Sequence, residues 1–264
     1  MSEFYFSWLG NKRKEIDKIL NVCKDFENIK TIVEPFGGTC FFSYFLYKNY
    51  ENNNFNFIIN DIDEQLTFFC NNFYKNKEEY IKKSLDLIND IDDKEKYNNL
   101  INEYKNKKIT DEDFIEYYYV YNTYYAIRKG FFPTTRNKPK YKYILDKTKK
   151  YDDFFKNNTY LNFNFIDIIE KYKDDETALI YFDPPYVQTD TSSYFNQIID
   201  WEYLINFLET CKCKYILHVN CNIWMKFIFT RICKKFINYD YNYQNLYIKR
   251  RDTKTIHSIY TNIL

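Results

Sequence analysis

Two stretches decide the reading of the fold: IKTIVEPFGG at residues 29–38 and FNFIINDID at residues 55–63. The run from Ile29 to Val33 reads as a buried strand that stops at Glu34-Pro35, with Phe36-Gly37-Gly38 marking the turn after it. Cys40 to Tyr47 is apolar enough for a buried helix, and Phe55 to Asn60 reads as a second strand that ends on Asp61-Ile62-Asp63. Strand, glycine turn, helix, strand and acidic residue together form the opening of a nucleotide-type α/β sheet.

Working outward, Lys14 to Lys24 places Ile16, Ile19, Leu20 and Cys23 at helical spacing and predicts a first amphipathic helix. From Glu64 to about Lys150 the chain turns to Lys, Glu, Asp and Tyr with helical periodicity, which predicts an inserted helical region. Its end, Arg136 to Lys150, carries seven Lys or Arg against one Asp, interleaved with Tyr. Such a run is ordinarily a solvated surface, and it is also the one strong basic segment available for a polyanion. The α/β pattern resumes with the strand Ala178 to Phe182, bounded by Asp183-Pro184-Pro185-Tyr186. A helix from Trp201 to Thr210 capped by Asp200, and a strand from Tyr215 to Asn220, follow it. Two alternating stretches, Asn245 to Lys249 and Ser258 to Ile263, predict an antiparallel hairpin closing the sheet. The expected organisation is a sheet domain of residues 1–64 and 155–264, with 65–154 inserted.

Composition bounds the function classes. At 264 residues with 45% hydrophobic content, the chain is one globular domain with an insertion rather than a disordered or fibrous protein. No apolar run is long enough to span a bilayer and the N-terminus lacks signal-peptide order, so an intracellular protein, not secreted, is expected. Seven cysteines, an odd number without dense spacing, read as reduced core thiols. A net charge of +1 gives no global basic field, so a nucleic-acid partner has to be argued from local patches. No metal is expected: Cys211-Lys212-Cys213 lacks the usual two-residue spacing, and His218 and His257 are the only histidines.

Three motifs fall at the carboxyl ends of predicted strands, where open α/β sheets bind ligands. The paired glycines of Glu34-Pro35-Phe36-Gly37-Gly38 allow close approach of backbone to a ligand, although two glycines also make an ordinary turn. Asp61 follows Gly38 by 23 residues, close to the spacing at which a carboxylate accepts from ribose hydroxyls, although it could equally cap the next helix. Asp183-Pro184-Pro185-Tyr186 is the most informative. Its prolines fix φ twice and delete two N–H donors, so the turn offers acceptors beside an aromatic plate, as an amino group under a stacked heterocycle requires.

Together these residues resemble the Dam-type, alpha-ordered N6-adenine DNA methyltransferases, and the resemblance runs through most of the chain in order. Trp8-Leu9-Gly10-Asn11-Lys12 is similar to the N-terminal cofactor motif, Glu34 to Gly38 to motif I, and Asn60-Asp61-Ile62 to the acidic motif. Ala126 to Asn137 resembles the target-recognition stretch, Asp183 to Tyr186 the catalytic tetrapeptide, His218-Val219-Asn220 a strand ending in Ser-Asn, and Ile259 to Asn262 the last strand. Two departures stand out: motif I has Thr39-Cys40 where the family has a second spaced glycine, and the recognition stretch is shortened, with Pro133-Thr134-Thr135-Arg136.

The resemblance implies a class I S-adenosylmethionine-dependent methyltransferase fold, an open and mostly parallel sheet with a C-terminal antiparallel hairpin and a helical target-recognition insert. It implies S-adenosylmethionine bound by Trp8, Gly10, Lys12, Glu34, Phe36, Gly37, Gly38, Asp61, Ile62 and Asp183. Asp61 would hold ribose hydroxyls, Phe36 and the glycine backbone the methionine moiety, and Lys12 its carboxylate. Catalysis would fall to Asp183, Pro184, Pro185 and Tyr186, acting on the N6 amine of an adenine flipped out of double-stranded DNA at a short specific sequence. Arg136, Lys138, Lys140 and Lys142 would contact phosphates and Arg128 a guanine edge or another phosphate. The competing readings are methyl transfer to RNA or a protein glutamine, and a non-catalytic nucleic-acid-binding subunit.

Overall fold

The computed structural model describes residues 12–23, 26–50, 54–91, 93–123, 141–185, 199–220, 222–242 and 254–263. These divide into two compact units, residues 12–62 with 163–264 and residues 63–162.

The chain enters the first unit through a 3-10 turn, Arg13–Glu15, and the short helix α1, Ile16–Leu20. The amphipathic run predicted to Lys24 ends as a helix earlier. The amides of Val22 and Cys23 reach back only three residues, to Ile19 and Leu20, so the last apolar positions are buried by tight turns. Strand β1 (Thr31–Glu34), helix α2 (Phe41–Asn49) and strand β2 (Asn56–Asn60) follow as predicted.

The second unit is helical: α3 Glu64–Phe73, α4 Lys77–Asp90, α5 Lys94–Asn106, α6 Phe114–Thr123, α7 Tyr141–Lys149 and α8 Asp152–Asn157, then the two-residue strand β3, Tyr160–Leu161. Asp63 and Asp93 cap α3 and α5 by accepting from the amides of Leu66 and Lys96. Stacked rings fill its interior, Phe73 on Tyr119 and Tyr74 on Phe155 among them. Asn71 fixes β3 by exchanging two hydrogen bonds of 2.9 Å with the backbone of Tyr160.

The first unit resumes with α9 (Phe165–Ile169), β4 (Ala178–Phe182), α10 (Trp201–Thr210), β5 (Lys214–Asn220), α11 (Ile223–Ile232), β6 (Lys235–Asn242) and β7 (Lys254–Thr261). Asp200 caps α10 as predicted, accepting from the Tyr203 amide at 2.9 Å. Six strands of this unit lie in the order β2-β1-β4-β5-β7-β6. β2, β1, β4 and β5 are parallel, and β7 runs antiparallel to both β5 and β6. Every residue of β1 and β4 is buried, as expected of strands covered on both faces. The result is the mostly parallel sheet with a closing antiparallel hairpin of the class I methyltransferase fold.

The hairpin corrects the sequence reading in one respect. The partner of β7 is Lys235–Asn242, with Asn238 opposite Ser258, whereas Asn245 to Lys249 lie outside the described residues. An edge strand buries one face only, and here Ile237, Tyr239 and Tyr241 take the inner positions while Phe236, Asn238 and Asp240 stay exposed. Helix α11 likewise has no predicted counterpart. Its exposed Ile223, Trp224 and Phe227 erase the polar face that helical periodicity would reveal. None of the six described cysteines is in a disulfide. Among the described residues no helix is long and apolar enough to cross a membrane.

Candidate active site

Chain order reverses between β1 and β4: the connection from β1 runs to β2 on one side, and β4 begins the other half of the sheet. Such a switch point leaves a crevice beyond the carboxyl ends of the strands. Glu34 ends β1, Asn60 ends β2, and Asp183 follows the last residue of β4. Three of the predicted motifs therefore emerge at one edge of one sheet.

Within motif I, Gly38 adopts φ 50°, the left-handed region that glycine enters at no cost. Its amide donates to Asp61 Oδ2 at 2.8 Å, which ties the glycine turn to the acidic motif. Asp63, not Asp61, caps α3. Cys40, standing where the family pattern has its second glycine, also has positive φ, 48°, with its side chain fully buried. A cysteine thus holds a left-handed conformation that glycine would adopt without cost.

The carboxyl of Glu34 accepts from the Ser43 amide at 2.6 Å and is closed off from solvent. Burial pushes it up to about 8; the Ser43 bond opposes this and the charge of Asp183 adds to it. Glu34 thus turns inward and braces the start of α2. Half-exposed Phe36 packs on Phe165 with ring centres 5.0 Å apart, while Ile62 lies exposed.

Lys12 Nζ lies 2.6 Å from Asp183 Oδ2, with 8% and 19% of the two side chains accessible. Sequence reasoning placed both residues at one site without pairing them. Pro184 is buried and Pro185 partly so. In the helical unit Lys142 stands on α7 beside exposed Tyr143, while Ile144 and Thr148 face inward. Trp8, Gly10, Arg128, Arg136, Lys138, Lys140 and Tyr186 lie outside the described residues.

Two groups of residues escaped the sequence reading. Fully buried Asn60 donates to the carbonyls of Pro35 and Phe163, both at 3.0 Å, and accepts from the Phe163 amide at 2.9 Å. It clamps the motif I turn to the segment that presents Phe165. The signal was an Asn ending an otherwise apolar strand, beside the more conspicuous Asp61. The second group is Glu15, His218 and His257, which the fold gathers into one buried cluster. Burial raises the Glu15 carboxyl, but hydrogen bonds with His218 and His257 outweigh it and hold Glu15 well below the usual carboxylate range. Burial lowers His218, against the opposing pull of Glu15. The sequence reading set metals aside for want of donors beside the two histidines, and the fold brings Glu15 to them.

Residues 8–256 match the D12 class N6 adenine-specific DNA methyltransferase family, and the chain belongs to it. It is also 28% identical over 219 residues to the type II methyltransferase M.MjaIII of Methanocaldococcus jannaschii, covering 75% of this chain and 74% of that protein.

Proposed function

We propose that this chain transfers the methyl group of S-adenosylmethionine to the N6 amine of an adenine flipped out of double-stranded DNA, within a short specific sequence. One observation carries the reading: Asp183, the first residue of the acceptor-only turn, stands at the switch point of the sheet beside buried Lys12. Family membership supports DNA as the substrate and adenine N6 as the target.

The crevice residues fit the cofactor. At Gly38 the positive φ and the missing Cβ leave the backbone open to a ligand. The Asp61 carboxylate lies at the adjacent strand end to accept from ribose hydroxyls, and Phe36 with Phe165 offers an apolar wall. Ile62, Trp8 and Gly10 would complete the site, and Glu34 supports it from behind. When bound, the cofactor supplies an electrophilic methyl group.

The adenine amine is a poor nucleophile because its lone pair is delocalised into the ring. By accepting its hydrogens, the Asp183 carboxylate and the Pro184 carbonyl draw the nitrogen toward a tetrahedral amine whose lone pair points away from them. Pro185 keeps the turn rigid, so the positions of these acceptors are set before the base arrives. Lys12 holds the carboxylate in place. Extracting the base costs a few kcal/mol, and stacking on Tyr186 returns about 1–3 kcal/mol. Lys142, with Arg136, Lys138 and Lys140, contacts phosphates, and Arg128 reads a guanine edge. The type II designation of the relative supports a role in restriction and modification, in which methylation protects a sequence from a cognate endonuclease.

The test is incubation with methyl-tritiated S-adenosylmethionine and unmethylated DNA, with RNA in parallel, followed by digestion to nucleosides. Label in N6-methyldeoxyadenosine that is lost with Asp183→Ala establishes the reaction. Label in RNA alone, or in no nucleic acid while cofactor binds, overturns it.

A further inference from the structure

We propose that Glu15, His218 and His257 form a binding site for a divalent transition-metal ion of the zinc class, independent of the methyl-transfer reading. One carboxylate and two imidazoles are a donor set that zinc accepts. One ligand atom from each residue lies within 4.8 Å of the other two. Their side chains are 0–3% accessible, so this is an interior cluster rather than a chance meeting of surface charges.

The sheet register assembles the site. His257 of β7 lies opposite Asn220 of β5, two residues beyond His218, so the two histidines share a face as diagonal neighbours. Tyr239 of β6 lies directly opposite His257 on that face. The turn Arg13–Glu15 then delivers the carboxylate against the histidines from a different element.

The arrangement around the carboxylate is that of converging ligands. A single oxygen, Glu15 Oε2, is approached by His257 Nδ1 at 2.7 Å, by His218 Nε2 at 3.2 Å and by the Tyr239 hydroxyl. Each imidazole offers a lone pair on the nitrogen that faces the carboxylate when its proton sits on the other ring nitrogen, so a cation at the centre of the three groups can take one lone pair from each. Zinc bond lengths of 2.0–2.1 Å place tetrahedral ligands about 3.3 Å apart, so the two contacts to Glu15 open by less than 1 Å, and the two histidine ligand atoms, within 4.8 Å of each other, close by at most about 1.5 Å. His218 has the outer hydrogen bond that a histidine ligand needs. His218 Nδ1 is 3.1 Å from the Tyr181 hydroxyl, and the ring of Tyr241 lies 4.5 Å from His257 at an interplanar angle of 12°, which fixes both imidazole planes. The Tyr239 hydroxyl, 2.7 Å from His218 Nε2 and hydrogen-bonded to Glu15 Oε2, borders the same cluster. Such an ion would staple the Arg13–Glu15 turn, and with it Lys12, to the sheet.

The full chain, stripped with chelator and then dialysed against Zn2+, is expected to retain one zinc per chain through desalting and to melt at a higher temperature than the stripped protein. His257→Gln and Glu15→Gln are each expected to weaken retention at least tenfold. Loading wild-type protein with Co2+ reads the ligands without relying on any variant: visible d–d bands without a near-ultraviolet thiolate-to-cobalt band support the site. No retained metal in the wild type, a thiolate band, or retention unchanged in a folded His257→Gln protein would overturn it.

Discussion

Lys12 Nζ and Asp183 Oδ2 are 2.6 Å apart, a largely buried ion pair between the first described residue of the chain and the turn that ends β4. Removing one partner strands the other charge where water is scarce. Lys12→Met is therefore expected to lower stability by roughly 1–3 kcal/mol and to reduce methyl transfer at least tenfold. Asp183→Asn, which keeps the shape, is expected to abolish transfer with cofactor affinity changed only a few-fold. Thermal melts and equilibrium dialysis against labelled cofactor separate the two effects; a large loss of cofactor binding in Asp183→Asn would assign the residue to the cofactor instead.

Asp61 joins the glycine turn to the acidic motif through the Gly38 amide. If its carboxylate also receives the ribose hydroxyls, Asp61→Ala raises KM for S-adenosylmethionine at least tenfold while KM for DNA moves little. Equal changes in both would point to a general loosening of the turn.

Glu34 titrates at about 8 in the folded chain because of its burial, against an ordinary value of 4.5. A raised carboxyl keeps its proton in the fold while the unfolded chain gives its proton up. The contribution to stability is thus intact below about pH 4.5, is lost progressively up to about pH 8, and changes no further above that. Glu34→Gln cannot ionise, so denaturant titrations from pH 5 to pH 8 should show the variant gaining on the wild type by up to a few kcal/mol. A constant difference across that range would mean that Glu34 is ionised throughout.

Cys40 holds a left-handed conformation at φ 48°. Glycine there relieves about 1–2 kcal/mol of backbone strain and loses a small buried side chain, so Cys40→Gly is expected to be close to neutral. Cys40→Val adds β-branching in the same region and is expected to cost more than about 2 kcal/mol. Urea titrations that ranked Val at or above Gly would show that the turn relaxes.

Asn60 satisfies three backbone groups, the buried carbonyl of Pro35 and the part-buried carbonyl and amide of Phe163. Asn60→Ala leaves them unpaired and is expected to cost on the order of 2–3 kcal/mol, with a raised KM for cofactor because the motif I turn loses its clamp. Destabilisation without any change in KM would confine Asn60 to a structural role.

Much of the first unit was legible in the chain. β1, β2, β4 and β5 are short apolar runs closed by Glu34-Pro35, Asp61, Asp183-Pro184 and Asn220, and local punctuation of that kind survives folding because it acts within a few residues. The edge strand β6 was hidden, since a strand that buries one face among half-exposed tyrosines carries a weak apolar signal. Helix α11 was hidden for the opposite reason, an apolar surface left in solvent.

The sequence by itself determined the motifs, their order and the strand ends that carry them, because those depend on backbone limits at Gly, Pro and capping Asp. Only the tertiary structure decided which side chains meet. Lys12 and Asp183 are 171 positions apart, and Glu15 and His257 are separated by 242. The turn Arg13–Glu15 carries Lys12 to the end of β4, and the register of β5, β6 and β7 puts His218, Tyr239 and His257 on one face. Pairing across strands is fixed by burial and hydrogen bonding of the whole sheet, and no local stretch of sequence contains that information.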